Sequence, residues 1–195
     1  MIKFKSVFAA IALLTGPAMV TAPIASAQGT VVMVIDEGQI LANSKAGKDM
    51  FTKLQNIENQ INLELKTPRE AIQADRAALA AKVDGKTQEA ILSDAALVAQ
   101  LEAFQKKAAE FAAQRQTVTQ EYAATEQKAF SDFNKALEPV LLEVVKEKGA
   151  QLVVSKGEVV FSADTIDASS AIIAKLDQKT PAITVVRQRA PAPAN

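Results

Sequence analysis

The dominant pattern in this chain is helical. Phe51, Leu54, Ile57, Ile61, Leu65, Ile72, Leu79 and Val83 recur at spacings of three, four and seven, which is one apolar stripe of a helix. Leu101, Phe104, Ala108, Phe111, Arg115, Val118, Tyr122, Thr125 and Ala129 then follow the three-four alternation of a coiled-coil seam. Between the two stripes lies the only glycine between Lys48 and Lys148, Gly85, in Asp84-Gly85-Lys86-Thr87. The pattern predicts a long antiparallel helical hairpin over residues 48–137 with its tip near 84–87, Thr87 capping the return helix and Glu89 in its first turn. Arms of roughly 35 to 50 residues are on the order of 50 to 75 Å long, too long and too sparsely apolar to form a globular core. Arg115 and Thr125 are poor seam residues, so the arms are expected to bend and splay. Pro68 predicts a kink near residues 66 and 67, and Pro139 a break.

A different pattern brackets the hairpin. Residues 30–35 are a continuous β-branched and apolar run, the signature of a buried strand, after which Asp36 can cap a short helix carrying Ile40 and Leu41. Ser44 is a second cap candidate, at the start of the first arm. Past Pro139, Val140, Leu141, Val144 and Val145 form the face of a short helix closed by Gly149. Residues 152–155 and 158–162 read as strands joined by a Lys156-Gly157 turn, and Ser169 can cap a last helix with Ile172, Ile173 and Leu176 inside. The fold class is therefore α+β: a small β-containing body, residues 28–47 and 138–180, from which the hairpin projects. Residues 181–195, ending in alternating Ala and Pro, are predicted to be a disordered tail. Three strands with unpaired edges call for completion by copies of the same chain, with Val32, Val34, Leu152, Val154 and Val160 as the oligomerisation residues.

Composition narrows the class. Lys3 and Lys5, the apolar residues 7–14 and Ala25-Ser26-Ala27 mark residues 1–27 as a cleaved secretory signal, its apolar run well short of the ~20 residues of a membrane span. The mature chain is expected to be exported and soluble, and with no cysteine it holds no disulfide. Its charge is nearly balanced, which gives no reason to expect nucleic acid as a partner.

Chemistry is sparse. Histidine and cysteine are both absent, removing the commonest general base, zinc ligands and the strongest nucleophile together, so no metal and no cofactor is expected. Asp164 with Asp167, or Asp36 with Glu37, could in principle make a glycosidase pair, but aspartates flanking helices far more often cap them. Asp36-Glu37-Gly38-Gln39 has the wrong spacing for a phosphate loop. The chain reads as no enzyme. Phe104, Phe111, Phe130 and Phe133 are the candidate binding residues: helical spacing favours a seam role, yet a two-helix arm without a third layer must leave some of them partly exposed.

Three ordered marks resemble a known family. Val34-Ile35-Asp36 leading to Ile40-Leu41, Ser44 and Gly47-Lys48 is similar to the opening of the Skp family of periplasmic chaperones, also called OmpH. Lys146-Glu147-Lys148-Gly149-Ala150-Gln151-Leu152-Val153-Val154 resembles its helix end before a strand, and Asp167-Ala168-Ser169 with Ile172, Ile173 and Leu176 its closing helix. The resemblance implies a periplasmic homotrimer whose helical tentacles enclose a cavity and hold unfolded outer-membrane β-barrel proteins without ATP. Well-known members are strongly basic, whereas residues 48–137 here carry 12 basic and 13 acidic side chains, which argues against lipopolysaccharide or anionic lipid as a partner. The competing reading is a structural or adaptor protein of the cell envelope, with the hairpin as a spacer.

Overall fold

The computed structural model describes residues 29–190, so the predicted signal segment and residues 191–195 of the tail lie outside the described residues. β1 (Val32–Ile35) and β2 (Leu152–Ser155) pair in parallel, from Val32 opposite Leu152 to Ile35 opposite Ser155. On the other edge of β1, Val34 makes a single bridge with Asp167, and the Ala168 N–H donates to the Val34 carbonyl at 2.9 Å. β1 is thus the middle strand, which is why Met33, Val34 and Ile35 are all buried.

The predicted β-hairpin does not form. Lys156–Glu158 close into a 3-10 turn, and residues 159–162 run on without strand pairing. A strand persists when its side chains gain burial, and the helices of this chain pack on β1, leaving Val160 and Phe161 in solvent.

Asp36 caps α1 (Glu37–Asn43) by accepting from the Gln39 N–H at 2.8 Å, and Ser44 caps α2 (Lys45–Val83) by accepting from Gly47 N–H at 3.1 Å. The corner between them needs glycine, since a Cβ on Gly47 would stand 1.7 Å from the Leu41 carbonyl oxygen. α2 continues through Pro68 to the tip, where Gly85 adopts φ +70°. The return begins as α3 (Gln88–Ser93), capped by Thr87, and restarts as α4 (Ala95–Lys148), capped by Asp94. Gly149, φ +61°, ends it.

Pro139, predicted to break the chain into two helices, lies inside α4. Proline removes one amide from the ladder, but Lys135, whose carbonyl it would have bonded, is exposed, and buried Phe133, Val140 and Val144 hold the helix on both sides. Ser169 does not cap α5 (Ser169–Lys179): its hydroxyl accepts from Asp36 N–H at 2.8 Å, and the Asp167 carboxylate accepts from Ser169 N–H at 2.9 Å.

The apolar packing falls into two clusters. The larger joins Met33 and Ile35 to Ile40, Met50, Phe133, Val140 and Ile172 among others, so the root of the hairpin is part of the body. The smaller joins Ile57, Ile61, Leu65 and Val118 across the arms. Nearer the tip, Leu79 and Leu97 are the only buried apolar side chains among the described residues.

The tail departs most from expectation. Residues 181–190 lie along the hairpin root, Ile183 buried in the larger cluster and Val185 packed against both. The Ala and Pro content that suggested disorder is concentrated beyond this segment, whose Ile-Thr-Val-Val-Arg can bury alternate side chains.

Candidate functional site

The four candidate phenylalanines do not converge. Phe104 and Phe130 are 26 residues apart on α4, about 39 Å at 1.5 Å per residue, so they belong to separate places on the arm. Phe104 is half-buried over a shallow cleft of about 200 Å³ with Leu79, bordered by the cross-arm pairs Lys107–Asp75 (2.8 Å) and Lys82–Gln100 (2.6 Å). Phe111 is half-buried beside Pro68 and Ile72 in a cleft of about 230 Å³. Phe130 stands edge-on to Phe51, ring centroids 6.1 Å apart at 75°, and borders an apolar cleft of about 390 Å³ with Ile35, Leu41, Leu137 and Leu141. Phe133 borders the same cleft but is only 2% exposed, so it serves the core first, a correction forced by the body packing against α4.

Periodicity alone missed Phe51, which it placed in the seam. The side chain is 42% exposed beside Phe130, because the stripe on α2 turns toward the body at its root. Leu63 and Leu142 are also exposed, on faces that carry no stripe in the sequence.

The assembly candidates divide in the same way. Leu152 is half exposed and Val160 fully exposed, with Phe161 and Val31 joining them as exposed apolar side chains that the spacing argument did not pick. Val32 and Val154 are half-buried. Val34 is 1% exposed between β2 and Asp167, so it serves the subunit's own interior and not an outer face.

A polar site unseen in the sequence lies where the tail crosses the arms. Arg187 reaches Glu64 of α2 at 2.7 Å through Nη1, and its Nε donates to Glu121 Oε2 of α4 at 2.8 Å. Its Nη2 is 2.7 Å from the same oxygen, off the line of a hydrogen bond. The other Glu121 oxygen accepts from the Ala190 N–H at 2.9 Å, and Thr125 Oγ1 accepts from Gln188 N–H at 2.9 Å while donating to the Glu121 carbonyl. At the far end Asp49 accepts from the Ile183 N–H (2.9 Å) and Lys53 donates to the Ile183 carbonyl (2.8 Å). Burial raises the Glu121 carboxyl, but Ala190 N–H and the Arg187 guanidinium outweigh it and hold it below its ordinary value. Thr125, a poor seam residue, is therefore well placed as a satisfied partner of the tail.

One carboxylate of each pair weighed for catalysis has a structural partner. Asp36 is a cap, and Asp167 is held by Lys156 (2.8 Å) and by Ser169, which bring its carboxyl down to about 2. Among the described residues no three His, Cys, Asp or Glu side chains group as metal ligands, and no helix is long and apolar enough to cross a membrane.

Residues 31–176 match the family described as outer membrane protein (OmpH-like). A crystal structure from Caulobacter crescentus, titled as that of a candidate outer membrane chaperone (OmpH-like), is similar at 27% identity and a TM-score of 0.71, covering 83% of this chain and 92% of that one. No curated protein matches. Three-quarters of the chain lies within the family match, and the strand pair with its helical hairpin repeats the fold of that structure, so the chain belongs to the OmpH-like family.

Proposed function

We propose that this chain is a periplasmic holdase that binds unfolded outer-membrane β-barrel proteins without ATP, as a homotrimer whose arms enclose the client. Membership of the OmpH-like family and the likeness to a structure titled as an outer membrane chaperone support the general role. The observation that carries the holdase mechanism is the distribution of half-exposed aromatic side chains, Phe51, Phe104, Phe111 and Phe130, at separated clefts along a hairpin whose outer half is thinly packed. Unfolded barrel strands present alternating apolar residues. Many weak contacts, joined by one flexible support, retain such a chain and still let it leave.

The body supports self-association, and the count of three is what the family resemblance implies. Val31, Leu152, Val160 and Phe161 are exposed apolar side chains in and next to the two strands, the kind of surface a second copy covers. The spacer reading fits less well, because a rigid spacer needs a dry seam along its length and here the seam is dry only near the root.

The test is to dilute a denatured outer-membrane barrel with and without the purified protein and follow light scattering. Suppression of scattering at near-stoichiometric protein, with no nucleotide, is the expected result. Unchanged aggregation overturns the holdase reading.

A further inference from the structure

The tail, Ile183 to Ala190, sits in its groove through both its backbone and three of its side chains. Four of its backbone groups are bonded by side chains of the hairpin: Ile183 N–H by Asp49, Ile183 C=O by Lys53, Gln188 N–H by Thr125 and Ala190 N–H by Glu121. Of the side chains, Ile183 is buried, Val185 partly buried and the Arg187 head only 10% exposed between Glu64 and Glu121, while Thr184 and Val186 face solvent. That period of two is extended backbone with one face down.

We propose that this groove is a binding site for extended polypeptide, and that the tail occupies it as an internal competitor for client strands. The ligand it selects is an unfolded segment with apolar side chains at alternate positions and an arginine two residues after the second of them. Backbone groups, present in every peptide, supply most of the polar contacts. Two apolar seats and a paired-carboxylate seat supply the preference. A β-barrel strand alternates in the same way as residues 183–187, so the inference rests on the proposed chaperone role and adds a defined subsite to it. Because the tail is tethered, its effective concentration is on the order of millimolar, so a client segment enters only when other contacts already hold the client nearby. Empty arms are then closed at the root by the tail, and a captured client displaces it.

Fluorescent peptides test the site directly. A chain ending at Thr180 is titrated with three ten-residue peptides: residues 181–190, an outer-membrane barrel strand with arginine at the matching position, and a shuffled form of that strand. Anisotropy is expected to show binding of the first two, displacement of the tail peptide by the barrel strand, and at least tenfold weaker binding of the shuffled form. The intact chain should bind the barrel strand about 1,000-fold more weakly, the ratio of a millimolar effective concentration to a micromolar affinity. If the shortened chain does not fold, the intact chain carrying Ile183→Asp and Arg187→Glu takes its place. A tail peptide that does not bind, a barrel strand that fails to displace it, or a shuffled peptide that binds equally overturns the inference. With the unmodified chain, amide exchange at Ile183, Gln188 and Ala190 should accelerate when an unfolded barrel is bound. Protection that persists while aggregation is suppressed overturns the groove and leaves the holdase role standing, whereas failure to suppress aggregation tells against the role itself.

Discussion

At the scale of single residues, two positions expose the physics most plainly. A methyl group on Gly47 has no place to go, because the obstacle at 1.7 Å is backbone, the Leu41 carbonyl at the α1–α2 corner. Gly47→Ala is expected to cost about 2 to 3 kcal/mol, in the range of other overpacked sites, read as a lower midpoint in urea. Asp167 sets an acid limit. Its carboxyl, near 3.8 when unfolded, lies at about 2 in the fold, so its stabilisation is complete above about pH 4 and is lost as the pH falls toward 2. The loss is at most about 2.5 kcal/mol, and smaller in so far as Lys156, 42% exposed, is screened by water. Stability should therefore fall between pH 5 and pH 2.5 by more in the parent than in Asp167→Asn, measured by denaturant titration at both values.

Among the elements, the arms are unequal along their length. From the body to Leu65 and Val118 the two helices share apolar clusters and are bridged by the tail, whereas nearer the tip they meet through Leu79, Leu97 and a few exposed polar pairs. Few buried contacts mean low local stability. Amides at residues 98–117 of α4 should exchange much faster than those at residues 125–145 of the same helix and in β1. Equal protection along α4 would contradict this. The weak seam read from Arg115 and Thr125 thus resolves into two cases: exposed Arg115 stays out of the packing, and Thr125 is buried and bonded to the tail.

For the whole molecule, the body should hold the assembly and the arms the client. Removing residues 66–117 with a short linker keeps every buried member of both apolar clusters and takes Phe111 from the rim of the smaller one. Sedimentation equilibrium should show the shortened protein still trimeric, and a stable monomer would refute assembly through Leu152, Val160 and Phe161. Client retention should rest on apolar contact, because residues 48–137 are nearly neutral. Raising salt to about 1 M shrinks the Debye length from ~10 Å at 0.1 M to ~3 Å but leaves apolar burial in force, so affinity should change little. Phe51→Ser with Phe130→Ser, or Phe104→Ser with Phe111→Ser, should weaken binding at least tenfold while leaving the trimer intact. Affinity that collapses in salt and survives the serine variants would show that the arms work by charge.

The sequence by itself determined the elements whose causes are local. The hairpin and its tip at Gly85, the caps at Asp36, Ser44 and Thr87, the buried first strand and the end of α4 at Gly149 all follow from periodicity, the placing of glycine and side chains bonding backbone within three residues. Tertiary structure decided whatever depends on a distant partner. Pro139 sits inside a helix because the body grips both of its sides, and residues 158–162 form no strand because no layer of this chain covers them. Phe133 and Phe51 exchange their expected roles because the body buries one face of the hairpin root. The ordering of residues 181–190 is the clearest case, since the carboxylates that receive Arg187 lie 123 and 66 positions away along the chain and no local pattern brings Glu64 and Glu121 together.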